Sequence, residues 1–320
     1  MSKLLTIAKN TFIETIRQPV YFVIIIAALL LFFLSPSLTM YSMHEDDKLL
    51  RELGLSTLFL MSLFISIFAS SGAVAEEIEN KTITTLLTKP VQRPIFVISK
   101  FLGVGAAVVL AHYICTIALL MAIRHGVLSA AWIHHDWTVI ITAGIVLGVS
   151  FVLSGFFNYV YEWKFSSAAV VLTAIFATFG LIFLLFIDRN WEFNPANNRI
   201  KVFDVYASVL LLLGAIVIAA LAVALSTRFN IVVTLLGCIG FFLLGLISDY
   251  VFGRLADTRL WAKICYFVVP NLQVFWISDA IYEESAVPVK YIVLSASYAI
   301  CYAIAILSLA IAVFQRREVG

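Results

Sequence analysis

Apolar residues run along this chain in blocks of about twenty, separated by short polar stretches. Eight blocks stand out, at 20–39, 53–75, 101–123, 138–157, 165–187, 205–225, 231–247 and 291–314. A helix needs about 20 mainly apolar residues to cross roughly 30 Å of hydrocarbon. The pattern therefore predicts an all-α, polytopic membrane protein with about eight transmembrane helices in one domain over 1–320. Its polar punctuation comprises a first segment 1–19, a charged segment 76–94 and a long mixed loop 248–290.

Two of these polar stretches have a period of their own. In the first, Leu4, Leu5, Ala8, Phe12 and Ile16 share one helical arc while Lys3, Asn10, Glu14 and Arg17 share the other, which predicts an amphipathic helix in the membrane interface. Pro19 separates it from the first span, because proline is tolerated in a first helical turn and not inside a helix. In the second, EEIENKTITTLLTKPVQRPIFVISK over 76–100, seven charged residues force the chain out of the bilayer, since Lys, Arg or Asp costs about 2.5–3.5 kcal/mol at a helix centre. Ile78, Thr82, Ile83, Leu86 and Leu87 fall on one half of a helix, with Glu77, Asn80, Lys81, Thr84 and Thr88 on the other. Glu76, Glu77 and Glu79 suit its positive amino end and Lys89 its negative carboxyl end. Pro90 stops the helix, Pro94 opens the next, and Lys100 is placed to snorkel as that helix enters the membrane.

Composition narrows the function classes. The chain is 62% hydrophobic and 12% charged, with 26 Phe, and its mean hydropathy is +1.04, far above a soluble domain. A net charge of +2 without clustered basic residues sets nucleic acid aside as a partner. The predicted span centres hold no Asp, Glu, Lys or Arg, unlike transporters driven by protons or sodium. His112 is the ionisable group well inside a span; it reads as a neutral imidazole bonded to a neighbouring helix rather than a relay. No GxxxxGK[ST] phosphate loop occurs, so energy for uphill movement has to come from another subunit. The four cysteines, Cys115, Cys238, Cys265 and Cys301, have no ligand spacing and read as packing residues.

The charged stretch resembles the signature of the type 2 ABC exporter permease family, an ExExGT element after the second span followed by LL, P, R and then K at the third span. The matching residues are Glu77, Glu79, Thr82, Leu86, Leu87, Pro90, Arg93 and Lys100. The amphipathic first helix and the short basic tail FQRREVG after the last span are similar as well. The resemblance implies a permease subunit of an export system, non-catalytic and without a cofactor of its own. Such a subunit pairs into a homodimer or heterodimer and docks cytoplasmic ABC ATPase subunits that hold ATP and Mg. The 76–94 segment would be one coupling helix, and the STRFN turn, with Arg228 and Asn230, a second cytoplasmic contact. Two departures stand out: Lys81 and Thr85 replace the family's Gly and frequent Glu, and eight spans exceed the usual six, making the hairpin at 138–187 or at 205–247 extra.

With an even number of spans both termini share a face, which the resemblance makes the cytoplasmic face of a bacterial plasma (inner) membrane. Lys and Arg divide 11 to 10 across the two faces, a faint positive-inside bias. Gly144, Gly148 and Gly155 lie within about 40° of one another on a helix and predict a small-residue packing face, read first as packing within the chain. On the outer side His134, His135 and Asp136 are adjacent. Side by side they are weak metal candidates, and a polar loop between interfacial Trp132 and Trp137 is the preferred reading, so no metal is expected. The 248–290 loop reads as a surface-lying helix or a cap over an exit path. Span walls without charge favour an amphipathic or lipid-like substrate. Two other classes stand beside export. One is a membrane anchor or sensor recruiting a cytoplasmic partner; the other is a polytopic membrane enzyme, for which no GxSxG, HExxH or paired acids in the spans are found.

Overall fold

The computed structural model describes residues 3–38, 46–75, 92–127, 135–195, 200–256, 258–277 and 287–315. The regular structure among these residues is helical, apart from one isolated bridge between Ile187 and Phe193. Helix α1 is Lys3–Arg17 and α2 is Pro19–Leu38; α3 is Asp46–Ser70, continued by a π turn at Ser71–Ala75. Then come α4 (Arg93–His125), α5 (Trp137–Tyr161), α6 (Phe165–Phe186), α7 (Val202–Ser226) and α8 (Ile231–Leu246). After α8 follow a π turn Asp249–Gly253, α9 (Arg254–Ala256), α10 (Leu260–Val268) and the last helix α11 (Val289–Gln315).

Seven of these helices are long and apolar enough to span a membrane. The eighth expected span is broken: α8 has 16 residues, about 24 Å at 1.5 Å per residue, and the Asp249–Ala256 piece that completes it is bent away by 60°. The bend has a packing cause. A Cβ on Gly245 would lie 2.7 Å from the Pro270 carbonyl oxygen and 2.8 Å from Leu272, so the chain beyond α10 presses into the end of α8. Helix α4 is longer than its apolar block, running 33 residues from Arg93, because Pro94 sits in its first turn where the missing N–H is harmless.

Helix α7 is the centre of the bundle. Ala215, Val217, Ala219, Ala220, Ala222 and Val223 are fully buried, and α3, α4, α8 and α11 all pack against it. Polar cross-links tie the same helices at mid-depth and at one end. His112 on α4 donates from Nε2 to the Ser208 carbonyl on α7 at 2.9 Å, because that oxygen can only accept; the Nδ1 of the neutral ring then accepts from Ser62 on α3 at 2.9 Å. The histidine hydrogen-bonded to its neighbouring helices, as read from the sequence, is what the bundle holds. At one end of the bundle Arg51 of α3 meets Asp204 of α7 at 2.8 Å, both buried, and Asp204 also accepts the Lys201 N–H at 3.0 Å.

Helix α1 is amphipathic as expected, but its inner side follows the apolar arc only in part. Ala8, Thr11 and Thr15 are buried together with Ile16, while Leu5 is exposed. The reason is Gly103 on α4, where a Cβ would stand 2.6 Å from both the Ala8 carbonyl oxygen and Thr11 Cβ. Small side chains on α1 and a glycine on α4 let the two backbones meet. The glycine face expected on α5 meets no other helix among the described residues. Beside Gly144, Gly148 and Gly155 there is open space, and α5 instead lays Val146 and Thr142 against Gly180 of α6. In this chain the α5 glycines point away from the bundle.

Adding a methyl at the two kinds of glycine separates them. Gly103→Ala should destabilise by about 1–3 kcal/mol through overpacking against a backbone oxygen, whereas Gly144→Ala should stay within about 0.5 kcal/mol of the parent or above it. Thermal unfolding of the purified protein in detergent, followed by tryptophan fluorescence, checks the pair; equal midpoints would contradict the packing described.

Candidate partner-docking face

The face carrying the end of α1 also carries the end of α3, the start of α4, the turns between α5 and α6 and between α7 and α8, and the end of α11. Side chains stitch it together. Ser166 at the start of α6 donates to the Arg17 carbonyl at 3.2 Å, and Gln18 lies against Gly72 in the π turn that ends α3. Serines 62, 66 and 70 descend α3 toward that turn, fully buried. Ser66 and Ser70 donate back to the carbonyl four residues earlier, a habit that bends helices. A π turn at the helix end re-aims the chain as it leaves the bundle.

At the other end of the charged stretch, the start of α4 is clamped to the end of α11. Arg93 donates from Nη1 to the carbonyls of Phe314 at 3.1 Å and Gln315 at 2.6 Å, the carbonyls that a helix terminus leaves without partners. Its guanidinium carbon stands 5.8 Å from the centre of the Phe314 ring. That ring stacks on Phe96 at 5.9 Å and 23°, and the Lys100 ammonium lies 5.6 Å over Phe96. Two cations thus enclose two stacked rings, and each cation lies over an aromatic face that attracts it electrostatically. Lys100 is buried rather than snorkelling to the surface, held by Phe96. Phe314 is the member that sequence reasoning missed; the signal for it was an aromatic residue in the last turn of the final apolar block, just before the basic tail.

Of the sequence-derived coupling residues, Arg93 and Lys100 are therefore brought together by this clamp. Glu77, Glu79, Thr82, Leu86, Leu87 and Pro90 lie outside the described residues. In the turn between α7 and α8 Arg228 and Phe229 are exposed, while Asn230 caps α8 by accepting the Val233 N–H at 3.1 Å. Asn230 thereby has a local structural duty, although it is exposed like Arg228.

At the opposite face, Asp136 serves α5. One carboxylate oxygen accepts the N–H groups of Thr138 and Val139 at 3.2 and 3.4 Å, capping the helix, and the other faces Arg124 at 3.7 Å and Arg189 at 3.5 Å. His135 is exposed and lies with its ring 5.7 Å from that of His125; His134 lies outside the described residues. No group of three or more His, Cys, Asp or Glu that could hold a metal occurs among the described residues. Further along that face, Leu260, Trp261, Ile264 and Phe267 of α10 are exposed, forming an apolar surface helix within the 248–290 loop.

Residues 5–161, from α1 to the end of α5, match the family model described as ABC-2 family transporter protein. Over that stretch the chain is an ABC-2 family transporter domain. The matched stretch contains the charged segment and the α4 side of the clamp. No curated protein matches the chain. The helices beyond residue 161 pack on this stretch, with α7 at the centre of the bundle and α11 closing the clamp.

The clamp's two aromatic–cation contacts and the Arg93 hydrogen bonds make a coupled unit. Arg93→Ala and Phe314→Ala should each destabilise by about 1–3 kcal/mol, and the double variant by less than their sum, with about 1 kcal/mol of coupling. A double-mutant cycle on detergent unfolding midpoints measures this; strict additivity would mean that the two residues do not act together.

Proposed function

We propose that this ABC-2 permease is the membrane-spanning subunit of an ATP-driven export system, with ATP and Mg held on a separate cytoplasmic ATPase subunit. The observation that carries the reading is the position of the charged segment. It joins the π turn ending α3 to the clamped start of α4, on the face shared by both described ends of the chain. A helix at 76–94 seated on an ATPase through Leu86 and Leu87 and registered by Glu77 and Glu79 has two stiff outputs. One leads into α3, whose other end is ion-paired to α7. The second leads through Arg93, Phe96 and Lys100 into α4 and α11. In this reading Arg93 and Lys100 transmit force by fixing the base of α4, and Arg228 supplies the second contact with the ATPase.

The reading places both termini and the α1 face in the cytoplasm of a bacterial inner membrane and pairs two permeases, alike or different, around the path. Relative to six-span relatives one hairpin is extra; α7 is the packing centre of this bundle, while α5 lies within the stretch that matches the family model. Helices α5 and α6 share a small core of their own with Ile117 and Met121 of α4. An amphipathic or lipid-like substrate fits spans whose charged groups lie at their ends.

Hydrolysis decides between export and simple anchoring. The chain, purified with its bound ATPase and reconstituted in liposomes, should hydrolyse ATP, and Glu77→Ala with Leu86→Ala should lower the rate about tenfold or more while the complex stays in the membrane. Arg228→Glu should lower it less. A preparation that holds no ATPase, or a rate indifferent to the Glu77 and Leu86 changes, would defeat the proposal.

A further inference from the structure

Between the main bundle and the α5–α6 hairpin runs a seam, and it is filled at one end only. Toward the α1 face Phe22 of α2, Phe151 of α5 and Phe165 of α6 meet in a ring trio, with centroids 5.9–6.3 Å apart. Beyond the trio α2 and α5 separate and leave a cavity of about 240 Å³ between α2, α4, α5 and α6. Its walls are apolar side chains such as Phe32, Ile117, Ala118, Met121, Ala143 and Val146, and its far end reaches His125 and His135. On the membrane side it is bounded by Phe33 and Leu34, which are 70% and 48% exposed.

We propose that this cavity is a binding site for one acyl chain of a glycerophospholipid from the leaflet opposite the α1 face. The length fits. From Ile114 to His125 the cavity follows α4 for eleven residues, about 16 Å, which is half of a hydrocarbon core of about 30 Å and so the depth of one leaflet. The volume fits too: a dry apolar cavity of about 150 Å³ takes up one benzene ring, so this one holds roughly nine or ten carbons. Water is a poor occupant, because a buried water needs two to four polar partners and these walls supply almost none. The side opening faces lipid, where acyl chains are the abundant apolar molecules.

The polar end tells which headgroups enter. The fixed charges there cancel, Arg124 and Arg189 against Asp136 and Asp188, and Arg189 is engaged with the His125 carbonyl at 2.8 Å as well as with Asp136. His125 donates from Nδ1 to the Gly126 carbonyl at 2.9 Å, and the exposed imidazole of His135 is left to meet the ester and glycerol oxygens. Recognition is therefore by chain and not by headgroup charge. The inference is independent of export, since it needs only the seam and the bilayer.

The test uses the full chain in nanodiscs containing phosphatidylglycerol or phosphatidylethanolamine with a diazirine midway along one acyl chain. After illumination, peptides are mapped by mass spectrometry. Labels should concentrate on 114–121 and 139–147 at least five-fold over the lipid-exposed Val232 and Leu236 of α8, equally for the two headgroups within about two-fold. Ala118→Phe should remove that excess without changing labelling of α8, and Ala143→Phe, which fills the cavity from the other wall, should do the same. Labelling spread evenly over the exposed helices, or an excess that survives both fillings, overturns the site. A preference for the anionic lipid well beyond two-fold overturns recognition by the chain alone.

Discussion

Helices in a bilayer gain little by leaving lipid for one another, because lipid tails are as apolar as leucine, and their association rests on close van der Waals contact and on polar cross-links. Everything in this bundle depends on how near α7 lets its neighbours come. Alanines at 215, 219, 220 and 222 expose nothing, and Gly214 stands where a Cβ would lie 3.1–3.2 Å from Phe59 of α3 and Phe275. With four helices drawn to that surface, two sets of buried polar groups find partners at fixed depth: His112 bridges Ser62 and Ser208, and Arg51 reaches Asp204. An ion pair removed from water is costly unless both charges stay in place, so the Arg51–Asp204 contact holds the registry of α3 and α7 at the end remote from the docking face.

That registry gives the docking face its mechanical sense. In the export reading proposed above, a push delivered at the joined ends of α3 and α4 would meet two helices held in register with α7. On the α4 side the push would reach α11 at once, since Arg93 occupies the final carbonyls of α11 and the stacked rings of Phe96 and Phe314 lock the two ends. The family signature places an arginine and a lysine seven residues apart at the start of the third span, and the clamp supplies a physical reason for both. Arg93 reaches across to cap α11, and Lys100, two turns on, covers the inner ring of the same stack. Each cation is placed by an aromatic face, and the aromatic pair is placed by the packing of two spans.

Much of this was legible in the chain itself. The eight apolar blocks, the boundary at Pro19 and the hydrogen-bonded state of His112 followed from length, hydropathy and proline chemistry, which act locally. What escaped depends on pairs distant in sequence. The glycines of α5 have the spacing of a packing face, yet the contact is made by Gly103 and Gly180, because a glycine matters only where another backbone arrives. Lys100 looks like a residue bound for the headgroups until Phe96 gives its ammonium a ring to rest on. The break after α8 is likewise invisible in hydropathy, since the pressure on Gly245 comes from Pro270 and Leu272, about 25 residues later. Asp136 reads in sequence as part of a polar loop, whereas it caps a helix and partners two arginines, one of them Arg189, 53 residues later.

The position of Asp136 also explains why the seam beside α5 is open rather than collapsed. A helix that packed on α2 along its whole length would close the gap, but α5 is fixed at both ends by other partners. Toward the α1 face the Phe22–Phe151–Phe165 trio sets its distance from α2. At the far end its capping carboxylate is held by Arg124 of α4 and Arg189 beyond α6, while Arg124 is itself tied to the Ile187 carbonyl and to Thr138. Between these fixed points Val146 and Thr142 turn toward Gly180, drawing α5 onto α6 and away from α2. Emptying a groove of this size against vacuum would forfeit dispersion contacts on every wall, but in a bilayer the groove has hydrocarbon at its mouth. The hairpin can therefore stand off from the bundle at little cost, with lipid completing the packing that side chains leave unfinished.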